Sequence, residues 1–292
     1  MSKYKISDLE KLSGVKAHTI RIWEQRYKLL DPLRTETNIR YYDDHQLRKL
    51  LNTVTLINSG IKISAIANLS DNQINEKLIS INSFGSPSIK EEILINQLIS
   101  SGLGYDEELF NTAFSNAITT FGVSTAYAKI FYPMLVKVGV LWNTAEVNPA
   151  QEHFISNMFR QKIFSGIDNL ETKQNKKDKW VLFLPHQEDH ELGLLIANYI
   201  LRNNNKKVFY LGANVPLTNL KETVENVQPT HLLLFLVKTH TSKALQNLMD
   251  ELKQLFPKTT FICCKPEIEK EVNTHNNQKL VFTFDEFLKV SE

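Results

Sequence analysis

The residues able to do chemistry fall into three groups. In Pro185-His-Gln-Glu-Asp-His-Glu-Leu-Gly193 the spacing Glu188-x-His190-x-x-Gly193 places an imidazole beside a carboxylate. A carboxylate that holds one ring nitrogen orients the other, and such an imidazole can ligate a metal. Gly193 is expected to let a ligand approach the backbone of the following helix. The second group is Thr19-Ile-Arg-Ile-Trp-Glu-Gln-Arg-Tyr27. At 100° per residue Ile20, Trp23 and Tyr27 share one side of a helix, and His18, Arg21, Ile22 and Gln25 the other. The first side can anchor to a core, and the second can face base edges and phosphates. The third group is Trp142 with Glu152-His153, nine residues lying between them. These could line a pocket, or be a core Trp with a solvent-facing Glu and His.

The elements that must position these groups are readable from periodicity. Tyr4–Gly14 reads as a short helix, with Ser7 and Glu10 in capping-box spacing and Gly14 ending it. A turn then leads into the basic helix, the helix-turn-helix arrangement. Leu33–Tyr42 reads as a hairpin turning at Asn38, which would set Arg34, Arg40 and Tyr41 beside that helix as a wing. Asp43 or Asp44 caps a third helix, Gly60 closes it, and Ile63, Ile66 and Leu69 mark a fourth. Asn72–Ile81 is polar and Ser83–Ser88 reads as a linker.

Four apolar stripes follow: Ile89 to Leu98, Leu109 to Phe121, Ile130 to Leu141 (with Val136, and with Pro133 in the helix), and Phe154 to Ile167. They predict a four-helix bundle. The last third alternates strands (180–184, 207–211, 232–237, 260–264, 280–284) with helices, which predicts a parallel sheet with its site at the carboxyl ends of the strands. Tyr210-Leu-Gly-Ala-Asn-Val-Pro216 would place Gly212 in a loop on that same edge.

Composition agrees with a globular protein of two or three domains. The 292 residues contain no apolar run long enough to span a membrane, and the start lacks an apolar signal core. A cytoplasmic location is expected. Cys263 and Cys264 are the only cysteines and, being adjacent, give no disulfide framework. The net charge of +2 hides an asymmetry. Residues 1–70 carry 12 Lys/Arg against 7 Asp/Glu, the remainder 22 against 25. A basic end on a mildly acidic body suits contact with a polyanion.

Thr19–Tyr27, Arg34, Asn38-Ile-Arg-Tyr-Tyr42 and the Leu-rich helix ending at Ser59-Gly60 resemble, in order, the MerR-type winged helix-turn-helix. The resemblance implies DNA contacts from His18, Thr19, Arg21, Gln25 and Arg26 in the helix and from Arg34, Arg40 and Tyr41 in the wing. Glu188-x-His190-x-x-Gly193 and Leu211-Gly-Ala-Asn-Val-Pro216 resemble the cobalamin-binding domain of methionine synthase and its relatives. That implies His190 as the lower cobalt ligand, with Glu188, Gly193 and Gly212 around the cofactor. Trp142-x9-Glu152-His153 resembles the cap of the B12-dependent light-sensing repressors, which implies Trp142 and Glu152 over an adenosyl group and His153 as the upper ligand after photolysis. Two places depart from the cobalamin pattern. Lys238 stands where a Ser is usual, either narrowing the channel for the nucleotide tail or binding a tail phosphate. Cys263-Cys264 stands where Gly-Gly is usual.

The expected architecture is multidomain: a mostly helical winged helix-turn-helix head over 1–75, a four-helix bundle over 85–170, and a Rossmann-like α/β parallel-sheet domain over 177–292. The expected function is a DNA-binding transcriptional regulator, a repressor controlled by adenosylcobalamin and light. It would act as a homodimer or homotetramer on a double-stranded operator, away from any membrane. The rival readings are a regulator whose sheet domain has lost cobalamin and serves protein contacts, and a corrinoid carrier enzyme.

Overall fold

The computed structural model describes residues 3–142, 148–171, 175–238 and 241–292. They form two compact units, residues 1–158 and 159–292.

The first unit opens with helix α1 (Ile6–Ser13) and helix α2 (Ala17–Tyr27). Between them Gly14 sits at φ +73°, a left-handed conformation that an L side chain rarely adopts. The cap of α1 differs from the expected Ser7/Glu10 box. The Asp8 carboxylate accepts from the Lys5 N–H at 2.6 Å, so the helix starts one residue before Ser7. Glu10 instead accepts from the Ala17 N–H at 3.0 Å and pairs with Lys16 at 3.1 Å, and so caps α2. These contacts, the Ala17 N–H foremost, lower the Glu10 pKa.

The wing is the antiparallel pair β1 (Leu33–Arg34) and β2 (Arg40–Tyr41), with Asn38 at φ +64° in its turn, as the pattern predicts. Tyr42 is fully buried and exchanges two backbone hydrogen bonds of 2.8 Å with Tyr4. Its hydroxyl donates to Glu24 of α2. Helix α3 (Asp44–Asn58) is capped by Asp43, which accepts from the Gln46 N–H at 2.9 Å. Leu9, Leu12, Ile20, Leu47 and Leu50 make the core of this head.

After the short helix α4 (Ile63–Ile66), the stretch read as polar chain and linker is helix α5 (Asp71–Phe84). Ser70 and Gln73 form its capping box, and Ile74 and Leu78 bury against Leu56, Ile66 and Ile93. Only Gly85 and Ser86 separate it from α6 (Pro87–Leu103). Asn96 of α6 donates to the Thr55 hydroxyl of α3 at 2.9 Å, a buried polar tie between head and bundle.

Helix α7 (Glu107–Phe121) follows, then α8 (Val123–Ala126), a π-helical segment Tyr127–Phe131, and α9 (Tyr132–Trp142). The π segment lies just before Pro133, whose ring cannot sit over an ordinary preceding turn. In α9 Met134 and Val138, four residues apart, are buried, whereas Val136, expected inside, falls on the opposite side of the helix and is 49% exposed. Helix α10 (Pro149–Asp168) follows; its part up to Met158 belongs to this unit, where Gln151 donates to Leu103 O at 2.6 Å.

The second unit is a five-stranded parallel sheet of β3 (Asn175–Pro185), β4 (Lys206–Val215), β5 (His231–Leu236), β6 (Thr259–Cys264) and β7 (Gln278–Val281). Its order is β4-β3-β5-β6-β7. The central strands carry the apolar runs: Val181, Phe183, Leu232, Leu234 and Ile262 are buried. Helices α11 (Glu191–Asn203), α12 (Leu217–Val227), α13 (Ser242–Leu255) and α14 (Phe284–Ser291) connect or follow the strands. The last strand ends earlier than expected, because Thr283 caps α14 and so turns Phe284 into helix.

The Tyr42–Glu24 tie predicts a measurable cost. Tyr42→Phe should leave the largely buried Glu24 carboxylate short of its strongest donor and lower stability by roughly 1–3 kcal/mol. Urea unfolding checks this; an unchanged midpoint would mean that the hydroxyl contributes nothing.

Candidate functional site

Two surfaces carry the predicted residues. On the head, α2 buries Ile20 and half-buries Trp23 and Tyr27, and presents His18, Arg21, Ile22, Gln25 and Arg26 to solvent. Thr19 is half-buried at the edge of this face. In the wing Arg34 and Arg40 are exposed and Tyr41 is half-buried. Arg34 donates from Nη1 to Asn38 Oδ1 at 2.7 Å, which stiffens the turn. Arg40 stands 3.9 Å from Glu24, the same carboxylate that accepts from Tyr42. One acidic residue of the helix therefore fixes the wing beside it. Lys3, absent from the sequence reading, lies over the Tyr41 ring at 5.0 Å and adds a cation to the wing. The bridge of Tyr4 to Tyr42 is what brings it there, a pairing that local spacing does not reveal.

The second surface lies at the carboxyl ends of β3 and β5. The chain leaves β3 for β4 on one side and later returns to β5 on the other, so the switch point of the sheet lies between these two loops. Glu188 is fully buried there. One carboxylate oxygen takes His190 Nδ1 at 2.6 Å and the His190 N–H at 3.1 Å. The other accepts from the Val237 and Lys238 N–H groups, each at 2.8 Å. Burial by itself raises the Glu188 pKa, but the His190 ring and the three amides outweigh it and hold the group at about 2. With Nδ1 held, the half-exposed His190 leaves Nε2 as the nitrogen able to ligate.

Lys238, expected either to narrow the tail channel or to bind a tail phosphate, is engaged by its own neighbours here. Its ammonium donates to Gln187 O at 2.7 Å and pairs with Asp189 at 2.5 Å, so it fastens the loop that carries His190. Asn214 closes the same loop, donating to Asp189 at 2.6 Å and accepting from the Gln187 N–H at 2.9 Å. A Cβ at Gly193 would meet the Phe235 ring at 2.8 Å, so the glycine lets α11 lie close against β5. Gly212 lies within β4 rather than in a loop, at φ +78° beside a shift in the ladder register. Cys263 is buried, and burial pushes the Cys264 thiol up to about 12. Both are therefore poor nucleophiles and act as small apolar side chains.

Of the third group, Glu152 and His153 sit in the first turn of α10, 3.0 Å apart, with His153 well exposed. Glu152 also accepts from Ser156 at 3.0 Å. Trp142 is the last residue of α9, and its side chain lies outside the described residues.

The donor set at Glu188–His190 fits a metal that takes one imidazole and brings its remaining ligands with it, as a corrinoid does. The walls fit less openly, with Phe235 against Gly193 and Lys238 across the loop.

The buried carboxylate gives a pH prediction. Because the folded-state pKa of Glu188 lies below its ordinary 4.5, its stabilisation is fully present above that value. It fades as pH falls toward about 2, and amounts to roughly 3 kcal/mol. Glu188→Gln should remove this part of the acid limb in denaturant melts at pH 2–6; an unaltered limb would show that the clamp contributes nothing.

Comparisons with known proteins bear on the head and on the helices that follow it. Residues 4–73 match the family model "MerR HTH family regulatory protein", and residues 94–164 match "B12 binding domain". The HTH-type transcriptional repressor CarH of Myxococcus xanthus is 26% identical over 258 residues, covering 87% of this chain and 86% of the relative. The repressor CarA of the same organism is 24% identical over 250 residues, covering 85% and 81%. Among solved structures, the monomethylamine corrinoid protein of Methanosarcina barkeri aligns with a TM-score of 0.53 at 16% identity, over 69% of this chain and 98% of that one, which is a likeness of fold. No helix among the described residues is long and apolar enough to cross a membrane. The chain thus carries a MerR-type helix-turn-helix domain and, behind it, a B12-binding domain.

Proposed function

We propose that the chain is a transcriptional repressor that binds a double-stranded operator through α2 and the wing, and whose occupancy of DNA is set by cobalamin. The observation that carries the reading is the pairing, in one chain, of an exposed basic helix fixed beside a wing with an imidazole held by a buried carboxylate at a sheet switch point. The similarity to CarH and CarA over most of the chain supports it. One helix-turn-helix reads only a half-site, so a homodimer or homotetramer is the form that acts.

His190 would hold the metal, with Glu188 orienting the ring. The resemblance would give contacts to an adenosyl group to Trp142, Glu152 and the exposed His153 of the first unit. Bound adenosylcobalamin would supply a cobalt–carbon bond that light can break. The protein's part is to keep Glu188 ionised and the His190 ring aimed, so that ligand occupancy couples to oligomer and DNA by linkage.

A second reading has a specific observation behind it. Phe235 against Gly193 and Lys238 across the loop close space beside His190, as they would in a domain kept only for protein contacts. One experiment separates the two. Protein mixed with adenosylcobalamin in the dark and then desalted should keep about one cobalamin absorbance per chain, and His190→Ala should lose the imidazole-ligated spectrum. Desalted protein without cobalamin absorbance would leave the second reading standing.

For the head, Arg21→Ala should cost at least about 1–3 kcal/mol of sequence-specific DNA binding while the oligomer sediments unchanged. Gel shifts and sedimentation test this, and undiminished specific binding would exclude Arg21 as a base reader.

A further inference from the structure

Among the residues that α2 presents to solvent, one is apolar. Ile22 is 39% exposed, although burying a side chain of this size in a core stabilises a protein by roughly 1.5–3 kcal/mol. At 100° per residue the exposed arc runs Arg21, Gln25, His18, Ile22, Arg26, so Ile22 has His18 on one side and Arg26 on the other. Ile20, Trp23 and Tyr27 hold the opposite side of the helix to the head. Ile22 is therefore part of the face that the proposed function turns toward DNA, rather than a stray member of the core stripe.

In the major groove the base edges offer hydrogen-bond donors and acceptors, and one apolar group, the 5-methyl of thymine. We propose that Ile22 is a specificity-determining residue that reads a thymine methyl in each operator half-site. Flanking residues complete the pattern. Gln25 is suited to adenine and Arg21 to guanine, each by paired hydrogen bonds. Ile22 and Gln25 are three residues apart, about 4.5 Å along the helix axis, which is near one base-pair step of about 3.4 Å. The thymine therefore lies next to the base that Gln25 contacts. The inference rests on the DNA-binding reading and adds to it the identity of one base.

The test uses the full chain, loaded with adenosylcobalamin in the dark and also unloaded. Its site is first enriched from a random duplex library. Each thymine of the enriched half-site is then replaced by deoxyuridine, which lacks only the methyl group. One position per half-site should weaken wild-type binding about fourfold, the effect of one buried methyl-sized group. Ile22→Ala, which keeps a good helix former at an exposed site, should bind the unmodified site about fourfold more weakly and be indifferent to the same replacement. Ile22→Val should keep part of the sensitivity. Indifference of the wild type to uracil at every position, or a uracil penalty that survives in Ile22→Ala, would overturn the proposal while leaving DNA binding intact. A library that enriches no duplex sequence in either state would sink the DNA-binding reading, and this proposal with it.

Discussion

A buried carboxylate must be paired or it destabilises the fold by several kcal/mol, and Glu188 is paired on both oxygens. Its partners come from two loops that are far apart in sequence. The sheet order brings them together, because β3 and β5 are neighbours although β4 lies between them in the chain. The clamp therefore cannot form until the sheet has formed, and the imidazole is aimed only once the clamp exists. In this way the position of His190 is tied to the stability of the whole second unit.

The head uses the same device on a smaller scale. Glu24 on α2 is almost enclosed, accepts from the Tyr42 hydroxyl and stands near Arg40. Burial and then the Glu24 contact push the Tyr42 pKa well above its ordinary value, so the hydroxyl stays a donor. The bond joins the helix that would read bases to the strand that would grip the backbone. A wing two residues deep on each side has little stability of its own. Its angle to the helix is set by this tie and by the Tyr4 bridge.

Much of this was legible in the sequence where the signal is local. The two faces of α2, the Asn38 turn, the Asp43 cap and the buried run of β5 all follow from period and turn chemistry. The misreadings have local causes too. Ser7/Glu10 shows the same three-residue offset as the true cap from Asp8 to Lys5, so spacing alone chose the wrong pair. Asp71–Phe84 is polar on most of its faces, and its few apolar residues count only once Leu56 and Ile93 are there to meet them. The π segment before Pro133 cannot be foreseen from a 3.6-residue period. Val136 is misplaced for another reason: it is apolar, but two residues from the buried Met134 it falls on the opposite side of α9. At the candidate site Glu188 and His190 were readable as a pair because they are two residues apart. The backbone donors from Val237 and Lys238 were not, since they arrive about fifty residues later.

Lys238 shows why residue type at a position does not fix its role. A long cation in place of a small hydroxyl reads as an obstruction or as a phosphate ligand. In the fold its backbone serves the stiff part of the site and its side chain the soft part. The amide is held by the buried Glu188 carboxylate, and losing that contact would strand a charge. The ammonium pairs with Asp189 in an exposed setting, where such pairs are worth roughly 0–1 kcal/mol. A ligand that needs the space of the Lys238 side chain therefore meets a weak surface pair, while the clamp that aims His190 is left intact. The Phe235 ring is partly exposed and lies against Gly193, where a Cβ would meet it at 2.8 Å, so its position is set by the fit of α11 on β5 rather than by a surface ion pair.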